Sequence, residues 1–135
     1  MLGLLIADKN VEARKQMADL LREAGYEVMV TNSAAKAIQN VLKKNTRILL
    51  MGTELDELNS AALVPLLKKC NRNLMIILVA DDAPLPLIRK MRQEGIFYHA
   101  LRPDEPEGKE EIRQVVKCAL DSLARTSDAS MAPVS

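Results

Sequence analysis

Apolar residues along this chain come in two alternating styles: short unbroken runs, and longer stretches in which they recur every three or four positions. Leu2 to Ala7 is the first run, and it stops at Asp8. Runs of this length without polar interruption predict strands buried on both faces. From Val11 to Ala24 the apolar positions Ala13, Met17, Leu20, Leu21 and Ala24 form one helical stripe, and Gly25 supplies the stop. Tyr26 to Thr31 predicts a second strand. Asn32 or Ser33 can then cap a helix carrying Ala37, Ile38, Val41 and Leu42, with Lys43 and Lys44 at its carbonyl end.

Ile48 to Met51 predicts the third strand, followed by a polar stretch from Gly52 to Ser60. The next helix carries Leu63, Leu66, Leu67 and Cys70, and Pro65 should kink it or delay its start. Leu74 to Ala80 is the most apolar stretch. Asp81 and Asp82 are placed to cap a short helix through Ile88 and Met91 to Gly95. Phe97 to Leu101 is a fifth strand ending at Arg102 and Pro103. The last helix, from about Lys109 to Ala124, has a stripe of Ile112, Val115, Val116, Ala119, Leu120 and Leu123. Residues 125–135 show no periodicity and predict a disordered tail or the start of a linker, which leaves one domain over 1–124.

Five apolar strands alternating with five helices predict an α/β fold: a parallel sheet covered on both faces. Right-handed crossovers favour the flavodoxin-like (βα)5 doubly wound sheet with strand order 2-1-3-4-5. In such a sheet the crevice lies beyond the carboxyl ends of the strands. Asp8, Lys9 and Asn10, then Gly52, Thr53 and Glu54, with Val79, Ala80 and Arg102, should therefore surround one depression.

Composition narrows the function. The chain has 135 residues, 48% hydrophobic and 27% charged, enough to bury a core beneath a polar surface. Nineteen basic and 18 acidic side chains leave a net charge of +1, so no general field attracts nucleic acid or anionic lipid. Tyr26, Phe97 and Tyr98 are the only aromatics, too few for a base-stacking platform. Cys70 and Cys118 are far apart and read as small hydrophobes rather than a disulfide or metal pair. With no leader and no apolar run of about 20 residues, a cytoplasmic protein is expected, without contact to membrane or nucleic acid. There is no GxGxxG and no GxxxxGK[ST], so no phosphate-cradling loop.

Four stretches then carry a resemblance: Leu-Leu-Ile-Ala-Asp at 4–8, Ala-Gly-Tyr-Glu-Val at 24–28, Ile-Ile-Leu-Val-Ala at 76–80 and Leu-Arg-Pro at 101–103. In this order and at these separations, over about residues 2–124, the chain resembles the response-regulator receiver domain of two-component signalling. The resemblance implies an acidic pair after strand one for Mg²⁺, an Asp ending strand three that takes phosphate from a histidine kinase, a hydroxyl on strand four and a Lys before Pro on strand five. Asp8 matches the first acid, but the second is Lys9. The acceptor position is Gly52, the hydroxyl position is Val79, and the cation survives as Arg102 before Pro103. His99 stands where many receivers carry an aromatic residue that swings inward.

A receiver site of three carboxylates needs a divalent cation, whereas Asp8, Lys9 and Arg102 sum to one positive charge. No metal, no cofactor and no catalytic residue is therefore expected. Lys9 or Arg102 is expected to pair with Asp8, and also with Glu54, in place of the ion; the alternative is that Lys9 points to solvent. Glu54, Asp56 and Glu57 read as a solvated loop face. Asp56 lies too far along the loop to inherit the acceptor's place, and Thr53 should face away from it. Asp81, Asp82, Asp104 and Glu105 read as acids at helix starts.

The expected function is that of a pseudo-receiver, a phosphorylation-independent module acting through protein contacts. The family's interaction face, formed by helix four, strand five and helix five, runs here through Arg89, Arg92, His99, Arg113 and Lys117, and should meet a signalling protein or a second copy. Two rival readings remain: a phosphorelay regulator accepting phosphate at another acid such as Asp8 or Asp56, and a sensor of a small ligand in the same crevice.

Overall fold

The unbroken apolar runs pair side by side in a computed structural model that describes residues 3–56, 58–81 and 83–131, with side chains through residue 125. The strands are β1 (Leu4–Ala7), β2 (Val28–Thr31), β3 (Ile48–Met51), β4 (Met75–Val79) and β5 (Tyr98–Ala100). All pairings are parallel, in the order β2-β1-β3-β4-β5, as the sequence predicts. Leu2, expected to begin the first strand, lies outside the described residues, as do Glu57, Asp82 and residues 132–135 of the tail.

Alternation along the three central strands divides their side chains between two cores. Leu4, Ile6, Ile48, Leu50, Ile77 and Val79 meet the stripes of α1 (Val11–Glu23) and α5 (Pro106–Met131). Leu5, Ala7, Leu49, Met51, Ile76 and Leu78 meet α2 (Ala34–Leu42), α3 (Ser60–Cys70) and α4 (Leu85–Glu94). Burying each such large aliphatic side chain contributes about 1.5–3 kcal/mol, which explains why these strands tolerate no polar residue.

Side-chain caps start three helices where the sequence offers them. Asn10 accepts from the Ala13 N–H at 2.9 Å, Ser33 from Lys36 at 3.3 Å, and Asn59 from Ala62 at 2.9 Å. Gly95 ends α4 in the left-handed conformation, φ 104°, that disfavours any side chain.

Four expectations need correction. Asp81 does not cap α4: the cap is Pro84, which gives no side-chain bond, and Pro86 in the first turn fixes the start instead. Pro65 lies in the interior of α3 and does not delay its start, because the helix begins at Ser60 and runs through it. The last helix begins at Pro106 rather than near Lys109, since a first-turn proline lacks only an N–H that has no helical partner there. It also continues past Ala124 to Met131, because no Gly or Pro interrupts residues 125–131.

Candidate functional site

The carboxyl ends of β1, β3, β4 and β5 open onto one cavity of about 730 Å³. All nine residues expected around it, Asp8, Lys9, Asn10, Gly52, Thr53, Glu54, Val79, Ala80 and Arg102, line its wall. The first turns of α3 and α4 complete it with Ser60, Ala61, Ala83, Pro84 and Leu87.

Backbone bonds fix the frame. Asp8 N–H donates to Thr31 O at 3.1 Å, Gly52 N–H to Ala7 O at 3.0 Å, and Lys9 N–H to Glu54 O at 3.0 Å. The last of these ties the β1–α1 turn to the β3–α3 loop. That loop folds back on itself through a bridge between Glu54 and Asn59, while Ser60 N–H donates to Thr53 O at 3.0 Å.

Asp8 is buried, and its carboxylate leans over Gly52. A Cβ placed on Gly52 would lie 2.6 Å from Asp8 Cγ and 2.9 Å from Oδ1, and would also meet Oδ2. The acid of β1 thus fills the space beside β3 that any side chain at residue 52 would need. Its Oδ1 accepts the Asn10 N–H at 2.8 Å. Burial raises its pKa above the ordinary carboxylate value, against the Asn10 N–H and the positive charges of Arg102 and Arg14, which pull it down.

Asp8 is not paired with Lys9 or Arg102 by contact. Among the described residues no ion pair joins either cation to Asp8 or to Glu54. Lys9 is exposed, so the solvent-facing alternative holds. The carboxylate lies over Gly52, and the Lys9 backbone is pinned to Glu54. Arg102 acts on Asp8 only through its field; its Nε is buried without a hydrogen-bond partner among the described residues.

Sequence reasoning passed over two supports of the site. Arg14 reaches back from α1 to donate Nη1–H to Asp8 O at 2.8 Å, and no local pattern announces it. Asp81 Oδ1 accepts the Arg102 N–H at 2.8 Å, joining the ends of β4 and β5. Asn10 was signalled by its place ahead of a helical stripe.

The divalent cation implied by the resemblance does not fit these residues. Lys9 stands where the resemblance implies a second acid, Gly52 offers no carboxylate, and no cluster of three His, Cys, Asp or Glu gathers among the described residues.

The expected interaction face divides. Arg89, Arg92 and Lys117 are exposed. His99 is instead half-buried, with Nε2–H donating to Ala80 O at 2.8 Å, which fixes the proton on Nε2. Arg113 pairs with Glu110 at 3.3 Å and lines a hollow between α1 and α5 with Gln16 and Asp19, because its turn of α5 faces α1. The exposed large apolar residues of this region are Leu85 at the start of α4 and Phe97, Tyr98 and Leu101 around β5, where Tyr98 Oη–H donates to Glu111 of α5 at 3.3 Å.

Comparisons with known proteins agree with this geometry. The family model described as the response regulator receiver domain matches residues 4–117. A CheY-like receiver domain protein from Methanospirillum hungatei JF-1 superposes with a TM-score of 0.83 at 18% identity, covering 93% of this chain and 99% of that one. The signal receiver domain of an HD domain-containing protein from Pseudomonas fluorescens Pf-5 gives 0.82 at 19%, with 93% and 90% covered. NtrX from Brucella abortus, in a complex with ATP, gives 0.83 at 19%, with 94% of this chain but 28% of NtrX covered. A search of the curated proteins finds no match. The five-stranded parallel order, the crevice at its carboxyl ends and a family match over most of the sequence lead to one conclusion: the chain belongs to the response regulator receiver domain family of two-component signalling.

Proposed function

We propose that this chain is a pseudo-receiver, a receiver domain over 1–124 that works without accepting a phosphoryl group and acts by protein–protein contact. The observation that carries the proposal is the pair Asp8 and Gly52. An acyl phosphate forms when a carboxylate oxygen attacks phosphorus. Gly52, at the acceptor position, has no such oxygen, and the Asp8 carboxylate lies across it with Oδ1 bonded to Asn10. Val79 offers no hydroxyl to a phosphoryl oxygen, and the cation that would bridge it lacks its ligands.

The contact surface in this reading is the α4–β5 side. Leu85 of α4 and Tyr98 and Leu101 at β5 are exposed there, as are the cations Arg89 and Arg92 of α4. Aromatic and arginine side chains are the types that anchor protein interfaces. The occupant is a signalling protein or a second copy, and α5 contributes Lys117 at the edge.

The test is beryllofluoride, a phosphoryl mimic that needs an acceptor carboxylate and Mg²⁺. Titrated into the isotopically labelled protein with Mg²⁺, it is expected to leave the amide resonances of residues 8, 52, 79 and 102 in place. Saturable shifts at those positions would reject the proposal.

A further inference from the structure

Among the described residues five charged side chains line the cavity, and no two of them form a salt bridge. Lys9 and Arg102 are cations; Asp8, Glu54 and Asp81 are carboxylates. Arg102 is the most telling member. Its backbone N–H is satisfied by Asp81, but its Nε is buried and has no acceptor among the described residues, a state that buried donors rarely occupy.

Single-signed ligands suit this arrangement poorly. An oxyanion drawn to Arg102 meets the fields of Asp8, Glu54 and Asp81. An amine or a metal ion drawn to those carboxylates meets Lys9 and Arg102. A ligand with one charge of each sign is favoured by both groups, and the planar guanidinium fork suits a carboxylate in particular. The remaining wall supplies Ala61, Ala83, Pro84 and Leu87, a small aliphatic surface at the ends of α3 and α4. The volume of about 730 Å³ lies within the range of about 300–1,000 Å³ usual for small-molecule sites.

We propose that the cavity binds a free aliphatic α-amino acid without covalent chemistry, its carboxylate on Arg102 and Lys9, its ammonium toward Asp8 and Glu54. Gly52 makes the site possible, because the absence of a side chain there lets Asp8 fold down beside β3 instead of facing a second carboxylate. The ligand then sits at the ends of β4 and β5, against Arg102 and next in sequence to the exposed Leu101, so its binding bears on the β5 end of that face. The inference goes beyond the contact reading and fails separately from it, since uptake of a phosphoryl mimic and reversible binding of an amino acid are different measurements.

The experiment is isothermal titration calorimetry on the whole chain with five L-amino acids: alanine, valine, leucine, isoleucine and methionine. Each binder is compared with its two halves; for leucine these are 4-methylpentanoate, which lacks the ammonium, and 3-methylbutylamine, which lacks the carboxylate. At least one amino acid is expected to bind saturably, with each half weaker by about tenfold or more. Arg102→Gln should weaken the binder about tenfold or more, and Lys9→Gln, at an exposed position that leaves the fold intact, by a smaller factor. The proposal is overturned if none of the five binds at about 10 mM. Inorganic phosphate or either half binding as tightly as the amino acid overturns it equally, as does unchanged affinity in both variants.

Discussion

Gly52→Ala adds one methyl group where the Asp8 carboxylate now lies, and its cost can be worked from the structure. The new Cβ would stand 2.6 Å from Asp8 Cγ, well inside van der Waals contact, so Asp8 must rotate away. Rotation breaks the 2.8 Å bond from the Asn10 N–H, and a hydrogen bond to a charged group contributes about 1.5–3 kcal/mol. Residue 52 is not among the positive-φ positions, so alanine adds no backbone strain there. Its stiffer unfolded chain instead returns about 0.4–1 kcal/mol. The net expectation is a loss of about 1–2 kcal/mol, read as a lower urea midpoint at unchanged slope.

Removing the obstacle should reverse the sign. In an Asp8→Ala background the methyl group meets no carboxylate, and Gly52→Ala should become neutral or slightly stabilising. The double-mutant cycle therefore carries a coupling of about 1–3 kcal/mol between residues 8 and 52. Additivity of the two substitutions, or a stabilising effect of Gly52→Ala with Asp8 present, would refute the placement of the acid over the glycine.

Three further outcomes follow from the same geometry. Asp8 has a folded-state pKa raised by burial above its ordinary 3.8, so the folded protein holds this proton more tightly than the unfolded chain. Its contribution is present in full below about 3.8 and is lost as pH rises through the raised folded value. Urea titrations against pH should show wild type losing ground to Asp8→Asn over that window, and a gain would contradict the burial argument. His99→Phe removes the Nε2–H to Ala80 O bond and should cost about 0.5–1.5 kcal/mol, whereas no loss in urea unfolding would mean that this bond does not hold β5 to the end of β4. Leu101→Glu alters an exposed position and should change stability by no more than about 0.5 kcal/mol while reducing association in cross-linking and light scattering; undiminished association would move the contact surface elsewhere.

The fold was legible because its signals are local and mutually consistent. Leu4–Ala7, Ile48–Met51 and Met75–Val79 can be buried on both faces only in the middle of a parallel sheet, and the stripes of α1 and α5 can cover only one side of it. Once the order is set, the carboxyl ends bring Asp8, Gly52, Val79 and Arg102 together without further information. Side-chain direction is a different matter. Whether Asp8 turns to Lys9 or over Gly52 depends on an open neighbour on β3 and on the Asn10 N–H, which only the assembled turn provides. Arg14 bonds carbonyls five and six residues upstream, a reach no periodicity encodes. At α4, two acids suggested a cap, but the prolines at 84 and 86 fix its start and free Asp81 to hold Arg102. Arg113 was assigned to a face by its helix alone, and the rotation of α5 against α1 decided otherwise.

The central claim is that no carboxylate of this domain takes a phosphoryl group in the receiver manner. Intact-protein mass spectrometry after incubation with acetyl phosphate and Mg²⁺ tests it most directly, beside a phosphorylatable receiver as positive control. The unmodified mass is expected throughout. A stoichiometric phosphoryl adduct, mapped to Asp8 or Asp56 by trapping the acyl phosphate before digestion, would contradict it.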